Sequence, residues 1–153
     1  MSLDGRVAYE DVRDVEGRRR LEAWCQEIAA NLDVAPKIIH ALDGIVFEIR
    51  QGYKSKDSKR QNADISNIVS AYARGYLPVF VILSSQIDGD LAARYRNSKC
   101  PVLVGSLAPS PHTSTYAFCR EIVGYDLAGF FERHSGALRQ AIESIITALL
   151  TPQ

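Results

Sequence analysis

One short segment constrains the fold of this chain more than any other. Residues 78–83 read Pro-Val-Phe-Val-Ile-Leu and contain no polar side chain. A strand that is apolar on every residue has to be covered on both faces, as in a sheet flanked by helices. A helix is predicted just before it, over residues 58–76, because Ile65, Ile68 and Tyr72 recur at helical spacing. The segment therefore indicates a strand inside a layered α/β fold.

The segments around this strand extend the same pattern. Helices are predicted over residues 17–32, from about Gln86 to Arg96, and from Ser135 onward, each with one apolar stripe. Residues 101–105 read as a second buried strand. Two apolar runs, Lys37–Leu42 and Ile45–Gln51, are joined by Asp43-Gly44, which is a strong signal for a β-hairpin.

The resulting order of elements predicts an α/β fold, with a mixed central sheet flanked by helices and a helical C-terminal part. We expect one domain over residues 1–153, since 153 residues suit a single core. Its core would span about residues 17–105 and its helical extension about residues 114–150. The polar, proline-containing stretch at 106–113 is interpreted as a loop between them.

Composition excludes several classes of protein. Apolar residues make up 46% and charged residues 24%, which is typical of a folded globular domain. No apolar run approaches the roughly 18 residues that span a bilayer, and the N-terminus has no apolar signal segment. The three cysteines are widely spaced and match no zinc or redox motif. We therefore expect a cytoplasmic protein with free thiols and no membrane partner.

Charge is balanced over the whole chain but not along it. The chain has 18 basic and 18 acidic residues, and residues 1–33 carry eight acids against five arginines. Residues 50–60 carry five basic residues against Asp57 alone, a net charge of +4. A basic run in a neutral chain predicts either a solvated loop or a surface that binds a polyanion.

Glu48 interrupts a strand otherwise made of Ile, Val and Phe. Side chains alternate along a strand, so Glu48 and Arg50 share one face. A charge on a sheet is costly unless it is paired or bound to a metal. One interpretation is a simple Glu48–Arg50 ion pair on an edge strand. The other is a metal-binding acid presented beside basic residues, where a divalent cation and a phosphate meet.

The start of the following helix favours the second interpretation. Ser58 and Gln61 have the spacing of a capping box, so Lys59 and Arg60 fall in the first helical turn. The positive end of the helix dipole disfavours cations there, whereas free backbone N–H groups favour a bound anion. We therefore predict a surface that binds phosphate or DNA. Its residues would be Lys54, Lys56, Ser58, Lys59, Arg60 and Gln61.

These motifs resemble a known family. A strand with Glu-x-Arg, a crossover helix and an apolar strand is similar to the core of the PD-(D/E)xK nuclease superfamily. The runs YKSKDSKRQNADI (53–65) and STYAFCREIVGYDLAGFFERHS (114–135) resemble stretches of type II restriction endonucleases of the ApaLI type. The resemblance covers about residues 38–135. It implies a restriction-endonuclease-like fold and Mg²⁺-dependent cleavage of double-stranded DNA by a homodimer.

The resemblance also implies roles for individual residues. Asp43 and Glu48 would bind Mg²⁺, and Arg50 occupies the position where the family usually has lysine. Lys54 would supply the missing amine if the strand reaches it. The sequence departs from the family pattern at two points. Asp43 precedes Glu48 by only five positions, and arginine cannot accept a proton.

Two other functions stay open at this point. A DNA-binding module with a decayed catalytic site would explain Arg50 in place of lysine. An α/β domain that binds a small anion at the helix start near Ser58 would explain the basic run without DNA. The three predict different results with metal, with DNA and with small phosphates.

Overall fold

The computed structural model describes residues 4–52 and 58–150. The strands in those ranges are Gly5–Ala8 (β1), Gly44–Arg50 (β2), Tyr76–Ile82 (β3) and Val102–Val104 (β4). The α-helices there are Val15–Asn31 (α1), Pro36–Ile39 (α2), Ser58–Tyr72 (α3), Gly89–Asn97 (α4), Thr115–Phe118 (α5) and Leu127–Leu150 (α6). A 3-10 turn at Tyr9–Asp11 precedes α1, and a π-helical turn at Cys119–Val123 follows α5.

The strands form one mixed sheet in the order β1-β2-β3-β4. β1 runs antiparallel to β2. β2 pairs in parallel with β3, and β3 pairs in parallel with β4. The predicted α/β fold with a mixed sheet is thus confirmed. β2 lies between β1 and β3, but β1 pairs with it only as far as Phe47, so within the described ranges Glu48 and Arg50 have a strand neighbour on the β3 side alone.

Helices cover both faces of the sheet. On one face, α1 packs its stripe of Leu21, Trp24, Cys25 and Ile28 against the odd-numbered residues of β2 and β3, and Phe118 of α5 joins this core. On the other face, Ile68 of α3 and Leu91 and Tyr95 of α4 pack around Phe80. β3 is buried on almost every residue, as its sequence predicts.

The predicted hairpin is wrong in its first half. Residues 36–39 form the short helix α2, and the antiparallel neighbour of β2 is β1 instead. Pro36 explains the helix, because its fixed φ suits the first helical position. Asp43-Gly44 leads directly into β2, where a side chain at Gly44 would overlap the backbone of Val7 and Ala8. The tight approach of β1 therefore requires glycine there.

The C-terminal region differs from the rest of the chain. α6 is continuous over Leu127–Leu150 and thus begins eight residues before the predicted start at Ser135. Asp126 accepts a hydrogen bond from the Gly129 N–H (3.0 Å), which caps the first turn. Every residue from 131 to 150 is exposed. In the two described stretches, no helix combines the length and apolarity needed to cross a membrane.

Candidate active site

The candidate site lies where β2 ends. Glu48 and Arg50 point to the sheet face that α3 and α4 cover, because they alternate with residues of the α1 face. Their partners on β3 are Phe80 and Ile82. The side chains are 15% and 9% exposed, respectively. The prediction that Glu48 and Arg50 share a face of the sheet is therefore confirmed, and both side chains are largely buried.

Arg50 binds two carboxylates at once. One terminal nitrogen of its guanidinium lies 2.9 Å from a Glu48 oxygen and 2.7 Å from an Asp64 oxygen. Asp64 belongs to α3, and its side chain is only 4% exposed. Removing such charges from water is expensive, and good geometry with further hydrogen bonds is needed to offset that cost. The Glu48–Arg50–Asp64 cluster thus joins the central strand to the crossover helix.

Tyr95 and Phe80 complete the surroundings of the cluster. The Tyr95 hydroxyl donates to the second Asp64 oxygen at 2.5 Å, so both oxygens of this carboxylate are bound. The Arg50 guanidinium lies 5.7 Å from the Phe80 ring centre, and Phe80 stacks on Tyr95 with ring centres 4.3 Å apart. Aromatic faces attract a guanidinium and keep water away from it. The carboxylates therefore face an ordered and largely dry environment.

A second polar cluster joins α4 to the first turns of α3. The Arg94 guanidinium donates to the side-chain oxygen of Gln61 and, at 2.8 Å, to that of Asn62. Gln61 was predicted to contact phosphate, and here it faces a cation instead of solvent alone. Arg94 adds a positive charge near the start of α3. The sequence alone does not predict that Arg94 of α4 lies close to this part of α3.

Asp43 lies at the other end of β2. Its backbone N–H bonds to the Gly75 carbonyl (2.7 Å), just before the strand begins. Five strand residues span about 16 Å, so Asp43 and Glu48 are not brought together. Asp64 approaches Glu48 much more closely, since both contact the same Arg50 nitrogen. Within the described ranges, no group of three or more His, Cys, Asp or Glu residues is arranged to hold a metal ion.

The remaining predicted residues fall in the segment after β2. Lys54 and Lys56 lie outside the described residues. The structure describes Ser58, Lys59 and Arg60 only as backbone at the beginning of α3, where the capping box predicts a helix start. Their proposed contacts with phosphate stay predictions.

A cleft of about 940 Å³ opens at the carboxyl ends of β2 and β3. Gln51 and Gly52 line it on the β2 side, and Ser84, Gln86 and Asp88 line it on the β3 side. Ligands of parallel α/β sheets bind in crevices at this end of the strands. Gln51 follows Arg50 directly along the chain, but Glu48, Arg50 and Asp64 are not among the described residues that line the cleft.

Burial also determines the chemistry of the neighbouring thiol. Cys100 is fully buried beside Phe80 and Tyr95. Burial chiefly raises the pKa of its thiol, and the nearby negative charge of Asp64 raises it further. A thiol of this kind stays protonated and is a poor nucleophile or metal ligand. Cys100 is therefore a packing residue of the site.

Sequence reasoning missed the central role of Asp64. Asp64 is not singled out in the sequence-based predictions, although a specific signal was available. Asp64 precedes Ile68 by four positions and thus interrupts the buried stripe of α3. A carboxylate in an apolar stripe requires a cationic partner.

Comparisons with protein-family models, with curated proteins and with solved structures found no match to this chain.

Proposed function

We propose that this protein is an Mg²⁺-dependent, type II restriction-endonuclease-like enzyme of the PD-(D/E)xK superfamily that hydrolyses phosphodiester bonds in double-stranded DNA. One observation supports this function above others. Glu48 and Asp64 converge on Arg50 at the carboxyl end of the central strand, directly before the basic run at residues 54–60. Acids beside cations are the groups that metal-assisted phosphodiester hydrolysis uses.

Glu48 and Asp64 are the residues that would hold Mg²⁺ in this proposal. Carboxylate oxygens are its preferred protein ligands, and one or two of them suffice beside water and phosphate. When bound, the ion would activate water and neutralise charge on the phosphate. Asp43, the second metal ligand expected from the resemblance, lies too far along β2 to join Glu48, so Asp64 takes its place here.

Arg50 has a different role from the lysine it replaces. Its guanidinium keeps its charge at any working pH and cannot accept a proton. It holds the two carboxylates close together and would stabilise negative charge on a phosphate. A base for the attacking water would then come from another group, for which Lys54 is our candidate.

The basic run supplies the contacts to DNA in this proposal. Lys54, Lys56, Lys59 and Arg60 would bind backbone phosphates, and Ser58 and Gln61 would add hydrogen bonds. Such contacts make binding steeply dependent on salt. Two subunits would act together, since one active site cuts one strand of a duplex.

Three free cysteines, two of them buried, support a role in a reducing cytoplasmic environment.

A second function is favoured by a specific observation. Arg50 already contacts both carboxylates and offsets one of their two negative charges, so its guanidinium stands where a metal ion would need to bind. A DNA-binding module with a decayed catalytic site would have this arrangement. It would bind duplex DNA through the same basic run and would not cut it.

The test is cleavage of a mixed-sequence plasmid with Mg²⁺ or Mn²⁺. We expect discrete fragments from the wild type, none from Glu48→Ala or Asp64→Asn, and normal cutting by Glu121→Ala, an exposed acid on the far side of the chain. Urea unfolding should accompany each variant, so that loss of fold is distinguished from loss of chemistry.

A further variant separates the two functions. Arg50→Lys restores the residue that is usual for the family at this position. Cutting by Arg50→Lys but not by the wild type would assign the decayed function. A salt-sensitive gel shift by every variant, without cutting by any, would assign DNA binding alone. Absence of both cutting and shift would refute both proposals and leave the small-anion domain.

A further inference from the structure

The second half of α6 presents an unusual surface. Large apolar side chains at Leu138, Ile142, Ile145 and Leu149 follow one another at steps of four, three and four residues. All four are between 47% and 78% exposed. This spacing produces the narrow apolar seam by which two helices pair. Ile146 and Phe131, which are 49% and 36% exposed, widen and lengthen the seam.

The body of the protein does not cover this seam. Among the described residues, both cores are completed by α1, α3, α4 and α5, and no residue of α6 belongs to either of them. α6 contains no buried residue over its length. The cap at Asp126 and the contact between the Phe130 and His134 rings (4.6 Å between centres) belong to the helix and its own first turns. The seam is thus free to meet another surface.

The charges of α6 indicate what kind of surface that is. The helix carries two glutamates and two arginines, so it has no net charge. Helices that lie on membranes usually combine their apolar face with a lysine- and arginine-rich face that attracts anionic lipid. Here the Arg139–Glu143 pair, 3.2 Å apart, neutralises the flank of the seam. A neutral seam of Leu and Ile favours another seam of the same kind.

The size of the surface agrees with this interpretation. Pairing two copies over the apolar half of α6 would bury on the order of 1,200 Å² in total, near the lower limit of specific protein interfaces. A single chain exposing this much contiguous apolar surface in water is unusual. We infer that the Leu138–Ile142–Ile145–Leu149 seam of α6 binds the same seam of a second copy of this chain. This inference bears on the proposed function, which needs two subunits, but it is argued from the seam alone and its test measures mass rather than cleavage.

The test is the mass of the full chain in solution. Light scattering after gel filtration, over a roughly hundredfold concentration range, should show twice the chain mass of 16.9 kDa at the upper end. Ile142→Glu with Ile145→Glu should weaken association at least about tenfold, since central apolar anchors dominate such interfaces. Gln140→Glu with Ser144→Glu is the matched control, because it adds the same charges to the opposite side of the helix.

Each outcome decides the inference. Dimeric wild type and control, beside a monomeric Ile142→Glu/Ile145→Glu variant with an unchanged urea midpoint, would support it. A wild type at 16.9 kDa at every concentration would overturn it. A lower urea midpoint in the isoleucine variant at monomeric concentrations would also overturn it, because α6 would then pack on its own body. Binding of a monomeric wild type to lipid vesicles would assign the seam to a membrane surface instead.

Discussion

Removing the charge of Arg50 tests the cluster at the centre of the candidate site. Arg50→Met keeps a long side chain beside Phe80 but removes the guanidinium that Glu48 and Asp64 share. Their side chains are 15% and 4% exposed, so water replaces little of the lost interaction. Breaking a buried ion pair in this way costs about 3–5 kcal/mol. That is a large part of the 5–15 kcal/mol that stabilises a typical domain.

Urea unfolding measures this loss directly. The chain has one tryptophan, Trp24, which is 2% exposed in the α1 core, so its fluorescence reports loss of the fold. With a urea dependence of about 2 kcal/mol/M, the midpoint should fall by about 1.5–2.5 M. Arg19→Met is the control, since it breaks the exposed Arg19–Glu16 pair and should cost at most about 1 kcal/mol.

The double variant sharpens the test. Arg50→Met with Asp64→Asn also removes one of the two carboxylate charges and should be more stable than Arg50→Met alone. The reasoning fails if Arg50→Met unfolds at the same urea concentration as Arg19→Met. The carboxylates would then be neutralised or hydrated without Arg50, and the cluster would not be a buried ionic network.

Three further predictions concern other parts of the fold. Tyr95→Phe removes the hydroxyl that donates to Asp64 (2.5 Å) and should cost about 1.5–3 kcal/mol in urea unfolding, while the stacked ring stays in place. Gly105→Ala should cost about 1–3 kcal/mol, because a Cβ there overlaps a carbonyl just after β3, whereas Gly136→Ala meets open space and should leave the midpoint of the body unchanged. Burial raises the pKa of the Cys25 thiol to about 12. Above about pH 8.5 the unfolded thiol ionises while the folded one stays protonated, so the free energy of unfolding should fall as pH rises from 8.5 toward 12. A flat profile between pH 7 and pH 10 would contradict this burial.

Local patterns in the sequence predict the layered body well. The stripe of α1, the all-apolar strand β3 and the helices on both faces follow from hydrophobic spacing alone. β1 was missed because Gly5–Ala8 is too short to show a period, and only its pairing with β2 makes it a strand. The first half of the hairpin failed because Ile38 and Ile39 suit a strand or a helix equally, and Pro36 together with packing on the α1 core decides for a helix.

The site was predictable only where it depends on one element. Alternation along β2 places Glu48 and Arg50 together, and the structure agrees. The pairing of Arg50 with Asp64 depends on how α3 crosses the sheet, and no local pattern in the sequence contains that angle. The family resemblance suggested Asp43 as the partner acid, although the extended strand carries it away from Glu48.

The cluster at Arg50 also has a consequence for how the sequence can vary. One guanidinium is shared by carboxylates from β2 and from α3, so loss of its charge removes a cation from two nearly buried acids, whereas loss of one acid leaves a balanced ion pair. Among related sequences, a change at residue 50 should therefore accompany a change at 48 or 64, whereas a single acid can change alone. A lineage that exchanges Arg50 for a neutral residue should also lose an acid at 48 or 64, whereas a lysine at 50 would permit both acids to stay.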